Sequence, residues 1–345
     1  MTARDRVTAR APLGVGGPWF EDFERGQVFE DAPGLTLSSG HAALHQALAG
    51  DRLRLALDAP LCRAVTGRDA LLAHPNLVCD VAIGQSTGPT QRVRGNLFYR
   101  GLVLARAVFI GETLRTRTEV VGLKQNRRRP DGPATGLVAL RIRTTDAAGE
   151  PVLDFWRCPM IPLRDRDTET GHDHDFEDIP RALDPVAVER AVPSAWNLDA
   201  LREATPGPHH ADLSPDEAFG VEGGETVTGA PELARLTLNV AMAHTDATSS
   251  AHGRRLVYGG HTISVAAAHA TRAIPAIATV LAWESCDHLG PVFEGDVLRT
   301  EVHVDGVSPL ESGGGTARLR ALVSAVRGEG DPVAVLDWRF VALVA

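Results

Sequence analysis

Val108-Phe109-Ile110-Gly111-Glu112-Thr113-Leu114-Arg115-Thr116 recurs in the second half of the chain as Val292-Phe293-Glu294-Gly295-Asp296-Val297-Leu298-Arg299-Thr300. Self-similarity over so long a period means one structural unit used twice. Two more blocks recur around it. Glu24-Arg25-Gly26-Gln27-Val28 before Ala32-Pro33 is echoed by Glu222-Gly223-Gly224-Glu225-Thr226 before Ala230-Pro231. Pro151-Val152-Leu153-Asp154-Phe155-Trp156 is echoed by Pro332-Val333 and Val335-Leu336-Asp337-Trp338. Three blocks in one order predict a flexible N-terminus (1–17), a first unit (18–165), a polar linker (166–214) and a second unit (215–345).

Within each unit the pattern reads as a short strand, an apolar helix and then several strands. Ala42–Ala49 and Ile263–Ala270 read as helices, the second rich in small residues and buried on most sides. Leu114–Leu123 and Leu137–Thr144 alternate apolar and polar residues with β-branched enrichment, the mark of half-buried antiparallel strands. An α+β unit follows, an antiparallel sheet wrapped around a central helix, and two such units would pair sheet to sheet. The run from Arg164 to Asp175 is too charged to pack a core. Its His172-Asp173-His174-Asp175 stretch reads as a solvated loop rather than a metal site.

The 345 residues are 43% apolar and 23% charged with mean hydropathy −0.07, the profile of a globular protein with a full core. Cys62, Cys79, Cys158 and Cys286 form no CxxC pair or ligand cluster and read as reduced thiols of a cytosolic protein. The opening residues lead into no apolar run, and no stretch reaches the roughly 18 apolar residues of a membrane span. A cytoplasmic location without membrane or secretion signals is expected. The net charge of −9 is opposite in sign to a nucleic-acid binder, so an anionic ligand needs a local basic patch.

The densest polar constellation is Asn239-Val240-Ala241-Met242-Ala243-His244-Thr245-Asp246, followed by Gly253-Arg254-Arg255-Leu256-Val257-Tyr258-Gly259-Gly260-His261. Asn, His, Asp, Tyr and paired glycines just before an apolar helix suit a loop-borne site at a helix start. Unpaired N–H groups there can stabilise a developing oxyanion.

These residues resemble the MaoC-like, R-specific enoyl-CoA hydratases and dehydratases, a hot-dog family whose motif is Asp-x-x-x-x-His-x-Asp with a second His before the helix. Asn239, His244, Asp246 and His261 fall on that motif, with Asn in its first position. In the first unit Asp51 and Asp58 match its start and end, Ala56 replaces the catalytic His, and His74 echoes His261. The first site thus reads as degenerate. Phe20-Glu21-Asp22-Phe23 and the Val-Phe-x-Gly-(Glu/Asp) blocks are also typical of the family. Among tandem chains, Gly111–Leu114, Glu119–Asn126 and Gly253–His261 are similar to the mesaconyl-CoA hydratases (β-methylmalyl-CoA dehydratases).

The resemblance implies a double hot-dog hydro-lyase that reversibly hydrates a short enoyl-CoA thioester, such as mesaconyl-CoA, without a cofactor or metal. It implies His244 as general base and the Thr262 N–H as oxyanion donor, with Tyr258, Gly260 and His261 at the substrate. Asn239 can orient water but cannot carry a proton. Either His244 manages both transfers, or a carboxylate such as Asp246 or Asp51 assists. Arg254 or Arg255 would suit a substrate carboxylate. Lys124 with Arg127, Arg128 and Arg129 would suit the CoA phosphates, or else an exposed turn before Pro130-Asp131-Gly132. A homodimer or higher homo-oligomer is compatible with the tandem chain. The other readings are a dehydratase of longer acyl chains, a silent acyl-CoA-binding protein and a thioesterase.

Overall fold

Alternating strands of this length need one face covered, and each unit supplies a helix to cover it. A computed structural model describes residues 15–128 and 132–345. Most of the expected flexible N-terminus, and Arg129 of the basic run, lie outside them. The first unit contributes β1 (Val28–Phe29), β2 (Leu35–Thr36), β3 (Gly95–Leu104), β4 (Thr113–Gln125), β5 (Thr135–Thr145) and β6 (Pro151–Pro162). The second contributes β7 (Ala218–Gly220), β8 (Glu225–Thr226), β9 (Ile277–His288), β10 (Val297–Pro309), β11 (Gly315–Val326) and β12 (Val333–Val344). They form one 12-stranded antiparallel sheet in the order β1-β4-β5-β6-β3-β9-β12-β11-β10-β7, with β2 on β4 and β8 on β10. The halves join where Leu102 and Val103 of β3 pair with Trp283 and Ala282 of β9.

The helices are α1 (Ser39–Ala49), α2 (Arg54–Leu57), α3 (Ala59–Thr66) and α4 (Pro75–Gln85), then α5 (Pro185–Ala191) and α6 (Leu198–Ala204) in the linker. The second half adds α7 (Ala230–Leu236), α8 (Met242–Thr245) and α9 (Gly259–Ala273). The sheet wraps α4 and α9. Every residue of α4 is buried, as is α9 from Gly260 to Thr271. The helix expected at Ala42–Ala49 exists as α1, but it buries only His45 and Ala49 and flanks the core. The central helix of the first half is α4.

Repeated sequence gives repeated bonding. Phe109 N–H donates to Glu112 Oε1 at 2.8 Å, and Phe293 N–H to Asp296 Oδ2 at 3.0 Å. Arg141 grips Asp154 through two bonds of 2.9 and 2.7 Å, and Arg320 grips Asp337 likewise at 2.9 and 2.5 Å. One proposed echo is out of register. Val28 pairs with Glu119, whose counterpart His303 pairs with Ala218, so Glu24–Val28 corresponds to Ser214–Ala218 and not to Glu222–Thr226. The short glycine- and glutamate-containing run resembles its neighbour by composition alone.

The linker is more than a solvated loop. Trp196, Leu198 and Leu201 join the main core, and Phe176 and Ile179 pack with Phe98 in a smaller cluster. Leu123 N–H donates to His174 Nδ1 at 3.1 Å, and the His172 ring meets Phe20 edge-on. Apolar residues after the charged run anchor the segment across the sheet.

Candidate active site

The two short helices α2 and α8 occupy equivalent places in the repeat, and each carries one position of the motif. Ala56 sits on α2 and His244 on α8, and Asp58 and Asp246 end the two helices. In the second half this loop opens on a cavity of about 330 Å³. Its wall draws on both halves: Asn239, His244, Tyr258 and Thr262 come from the second, Arg94, Tyr99 and Arg157 from the first. His252 and His288 also line it, and among the described residues no Asp or Glu does.

His244 Nδ1 lies 2.9 Å from the Leu256 carbonyl oxygen, which can only accept, so that nitrogen carries the proton. Nε2 keeps its lone pair. Burial lowers the His244 pKa below 6.5, against an opposing pull from the Leu256 carbonyl, so the ring is neutral near pH 7. Tyr258 packs against it with ring centroids 5.5 Å apart.

Asn239 is buried, and its Oδ1 accepts the Ala241 N–H at 3.0 Å. That bond fixes the amide orientation and so places Nδ2 as a donor. Gly259 and Thr262 bring the first turn of α9 to the wall, where the leading N–H groups of a helix lack partners within it.

Other expected residues lie elsewhere. The exposed Asp246 carboxylate accepts from Thr248 N, Thr248 Oγ1 and Ser249 Oγ, which hold its pKa low, so it caps a turn. Asp51 is buried 3.1 Å from His74 Nε2 and lies outside the cavity lining. His261 Nε2 faces the Leu48 carbonyl at 3.1 Å and braces α9 against the first half, again outside the lining. Gly260 permits a close approach: a Cβ there would fall 1.9 Å from Asp80 Oδ1 and 2.4 Å from the Tyr258 ring. Arg255 pairs with Glu294, while Arg254 lies over the Phe293 ring and donates to the Glu294 carbonyl. Neither lines the cavity. Lys124 pairs with Asp173 and Arg128 with Asp167 and Glu169, so the basic cluster holds down the linker; Arg127 is exposed.

Three residues that the sequence reading passed over belong here. Arg157 and Tyr99 are cross-strand neighbours on β6 and β3, and both are buried in the wall. Asp80, fully buried on α4, lies behind Tyr258, and burial raises its pKa from 3.8 to about 7. The Tyr258 hydroxyl relieves part of that shift yet makes no well-formed hydrogen bond. A polar residue in the middle of an apolar helix was the available signal for Asp80. Arg157 in the apolar strand Phe155–Ile161 was the signal for the other wall.

The counterpart space in the first half is closed. Leu72, Ala73 and Pro75 at the start of α4 face Thr279 and Leu281 of β9, and Ala191 and Pro193 of the linker fill the gap, leaving about 10 Å³. Among the described residues no helix is long and apolar enough to cross a membrane.

Comparison with known proteins agrees with this architecture. A sequence profile described as mesaconyl-CoA hydratase matches residues 2–281. The chain is 30% identical over 311 residues to a mesaconyl-CoA hydratase of Cereibacter sphaeroides, covering 88% of each. It is 28% identical to a β-methylmalyl-CoA dehydratase of Chloroflexus aurantiacus, covering 95% of this chain and 97% of the relative. A conserved hypothetical protein of Mycobacterium tuberculosis, described as having a double hotdog fold, superposes with a TM-score of 0.87 at 49% identity, covering 96% and 99% of the two chains. The fold is therefore the double hot-dog, and the chain belongs to the mesaconyl-CoA hydratase family, an enzyme of the hydro-lyase class.

Proposed function

We propose that the cavity reversibly adds water across the α,β double bond of an enoyl-CoA thioester, taking mesaconyl-CoA to β-methylmalyl-CoA. The water oxygen bonds to the β carbon as its proton passes to His244 Nε2, and a proton is delivered to the α carbon. His244, its Nδ1–H held by the Leu256 carbonyl, serves both transfers, because the Asn239 amide carries no proton and among the described residues no Asp or Glu lines the wall. Asn239 Nδ2 holds the water. The N–H groups of the first turn of α9, Thr262 included, face the thioester oxygen as it gains charge. Tyr258 packs the acyl group beside His244.

The observation that carries this reading is the locked His244 tautomer in a cavity shared by both halves. The choice of acyl group is supported by the names of the two curated relatives. Loss of enoyl-thioester absorbance with mesaconyl-CoA and crotonyl-CoA side by side tests it. Faster loss with mesaconyl-CoA is expected. Faster turnover of crotonyl-CoA would assign a general enoyl-CoA hydratase instead, and binding without turnover would contradict catalysis.

A further inference from the structure

We infer that Arg157 receives a second, free carboxylate carried by the thioester substrate, so that the cavity selects carboxylated enoyl-CoA over neutral ones. This rests on the hydratase reading of the same cavity and adds the group that sets its specificity.

Arg157 is 3% exposed and lines the cavity. A guanidinium stays charged in a protein, and a buried charge needs a partner of opposite sign. None is present: among the described residues no carboxylate lies within 4.0 Å of Arg157, whereas Arg141, Arg143 and Arg320 on the same sheet each hold one. Its Nη2 donates to the Ser86 carbonyl at 2.7 Å and to Thr90 Oγ1 at 2.8 Å, both neutral acceptors that orient the group without neutralising it. Nε has no partner at all.

The fold does not require arginine here. Arg157 pairs with Leu140 and Tyr99, and the position with the equivalent register in the other half, paired with Leu319 and Trp283, is Phe340. Phe340 is buried and stacks on Trp338. The half that helps form the open cavity carries a cation where its repeat carries a core aromatic. With no acid in the wall among the described residues, the missing counter-charge comes from the ligand. With both Nη2 hydrogens spent on Ser86 and Thr90, the carboxylate is received through Nη1 as a charge-assisted hydrogen bond. The CoA phosphates are the other anionic groups of such a ligand, and the exposed Arg94 on the cavity wall suits them better.

The test compares kcat/KM for mesaconyl-CoA and tiglyl-CoA, which carries a methyl group where mesaconyl-CoA carries its free carboxylate. It uses the wild type, Arg157→Gln and Arg157→Lys. The wild type is expected to prefer mesaconyl-CoA. In Arg157→Gln that preference should fall roughly 100-fold or more, through mesaconyl-CoA alone. Arg157→Lys, which keeps the charge but loses the fork, should fall between them. Each preference is a ratio within one preparation, so partial unfolding does not disturb it. Should neither variant fold, Thr90→Val loosens the same guanidinium and should raise KM for mesaconyl-CoA several-fold with tiglyl-CoA unchanged. Equal losses on both substrates would make Arg157 a structural or phosphate-binding residue and overturn the inference. An unchanged ratio would also overturn it while leaving the hydratase reading intact. Only a wild type that hydrates neither thioester overturns both.

Discussion

The Asn239 amide, oriented by the Ala241 N–H, can hold a water but cannot carry its proton, which goes to His244 on the cavity wall. Catalysis in the hydration direction needs that imidazole neutral, and its pKa lies below 6.5. The rate should therefore hold down to pH 6.5 and fall only at lower pH, as an acid limb in the profile of kcat/KM against pH. A limb above pH 6.5 would point to another base. Asp80 sets a second pH dependence. Its folded-state pKa, about 7, exceeds the ordinary 3.8, so its contribution to stability is full below about pH 4 and is lost as pH rises through about 7. Asp80→Asn removes that loss. The variant should gain on the wild type between pH 5.5 and pH 8 by on the order of a few kcal/mol, read from urea midpoints at the two pH values. A constant difference between the two proteins would contradict the assignment.

Between elements, the closest approaches are made at glycines. A Cβ on Gly84 of α4 would fall 1.7 Å from the Thr237 carbonyl oxygen, and one on Gly260 of α9 would meet Asp80. Gly84→Ala and Gly260→Ala should each destabilise the protein by about 1–3 kcal/mol, seen as a lowered denaturation midpoint. Gly260→Ala should also slow hydration, because it displaces Tyr258 against His244. The sequence revealed the strands and the α8–α9 motif because alternation and residue spacing are local properties. It did not reveal α4, whose Asn76, Asp80 and Gln85 break the apolar run that marks a core helix. Gln85 is held by the Pro33 and Leu114 carbonyls of its own half, whereas the other half meets the remaining two: Asn76 Nδ2 reaches the Ile263 carbonyl, and Asp80 sits beside Gly260. Partners so far apart in the chain leave no periodic trace. Arg157 was hidden for the same reason, since its setting depends on Ser86, Thr90 and a cavity lined from the second half. Arg254 and Arg255, by contrast, drew attention through proximity in sequence alone, and Glu294 and Phe293 occupy them.

At the scale of the whole molecule the repeat has divided its labour. One copy of the motif opens on a cavity and keeps its histidine. The other has Ala56 in that place, His74 Nε2 held 3.1 Å from Asp51, and linker residues Ala191 and Pro193 filling the space. Restoring the histidine alone should not restore a site, because about 10 Å³ admits no thioester. Ala56→His placed in a His244→Ala background should stay at background turnover, and recovered activity would show that the first half retains a usable cavity. The first half is nonetheless needed, since it supplies Arg157, Tyr99 and Arg94 to the open site. The central claim is that His244 is the base of a hydro-lyase acting on mesaconyl-CoA. It is tested most directly by the rate of absorbance loss with that thioester in wild type and His244→Ala. His244→Ala should lower kcat by about 10²–10⁴-fold with the fold intact. A folded His244→Ala that hydrates mesaconyl-CoA at the wild-type rate would contradict it.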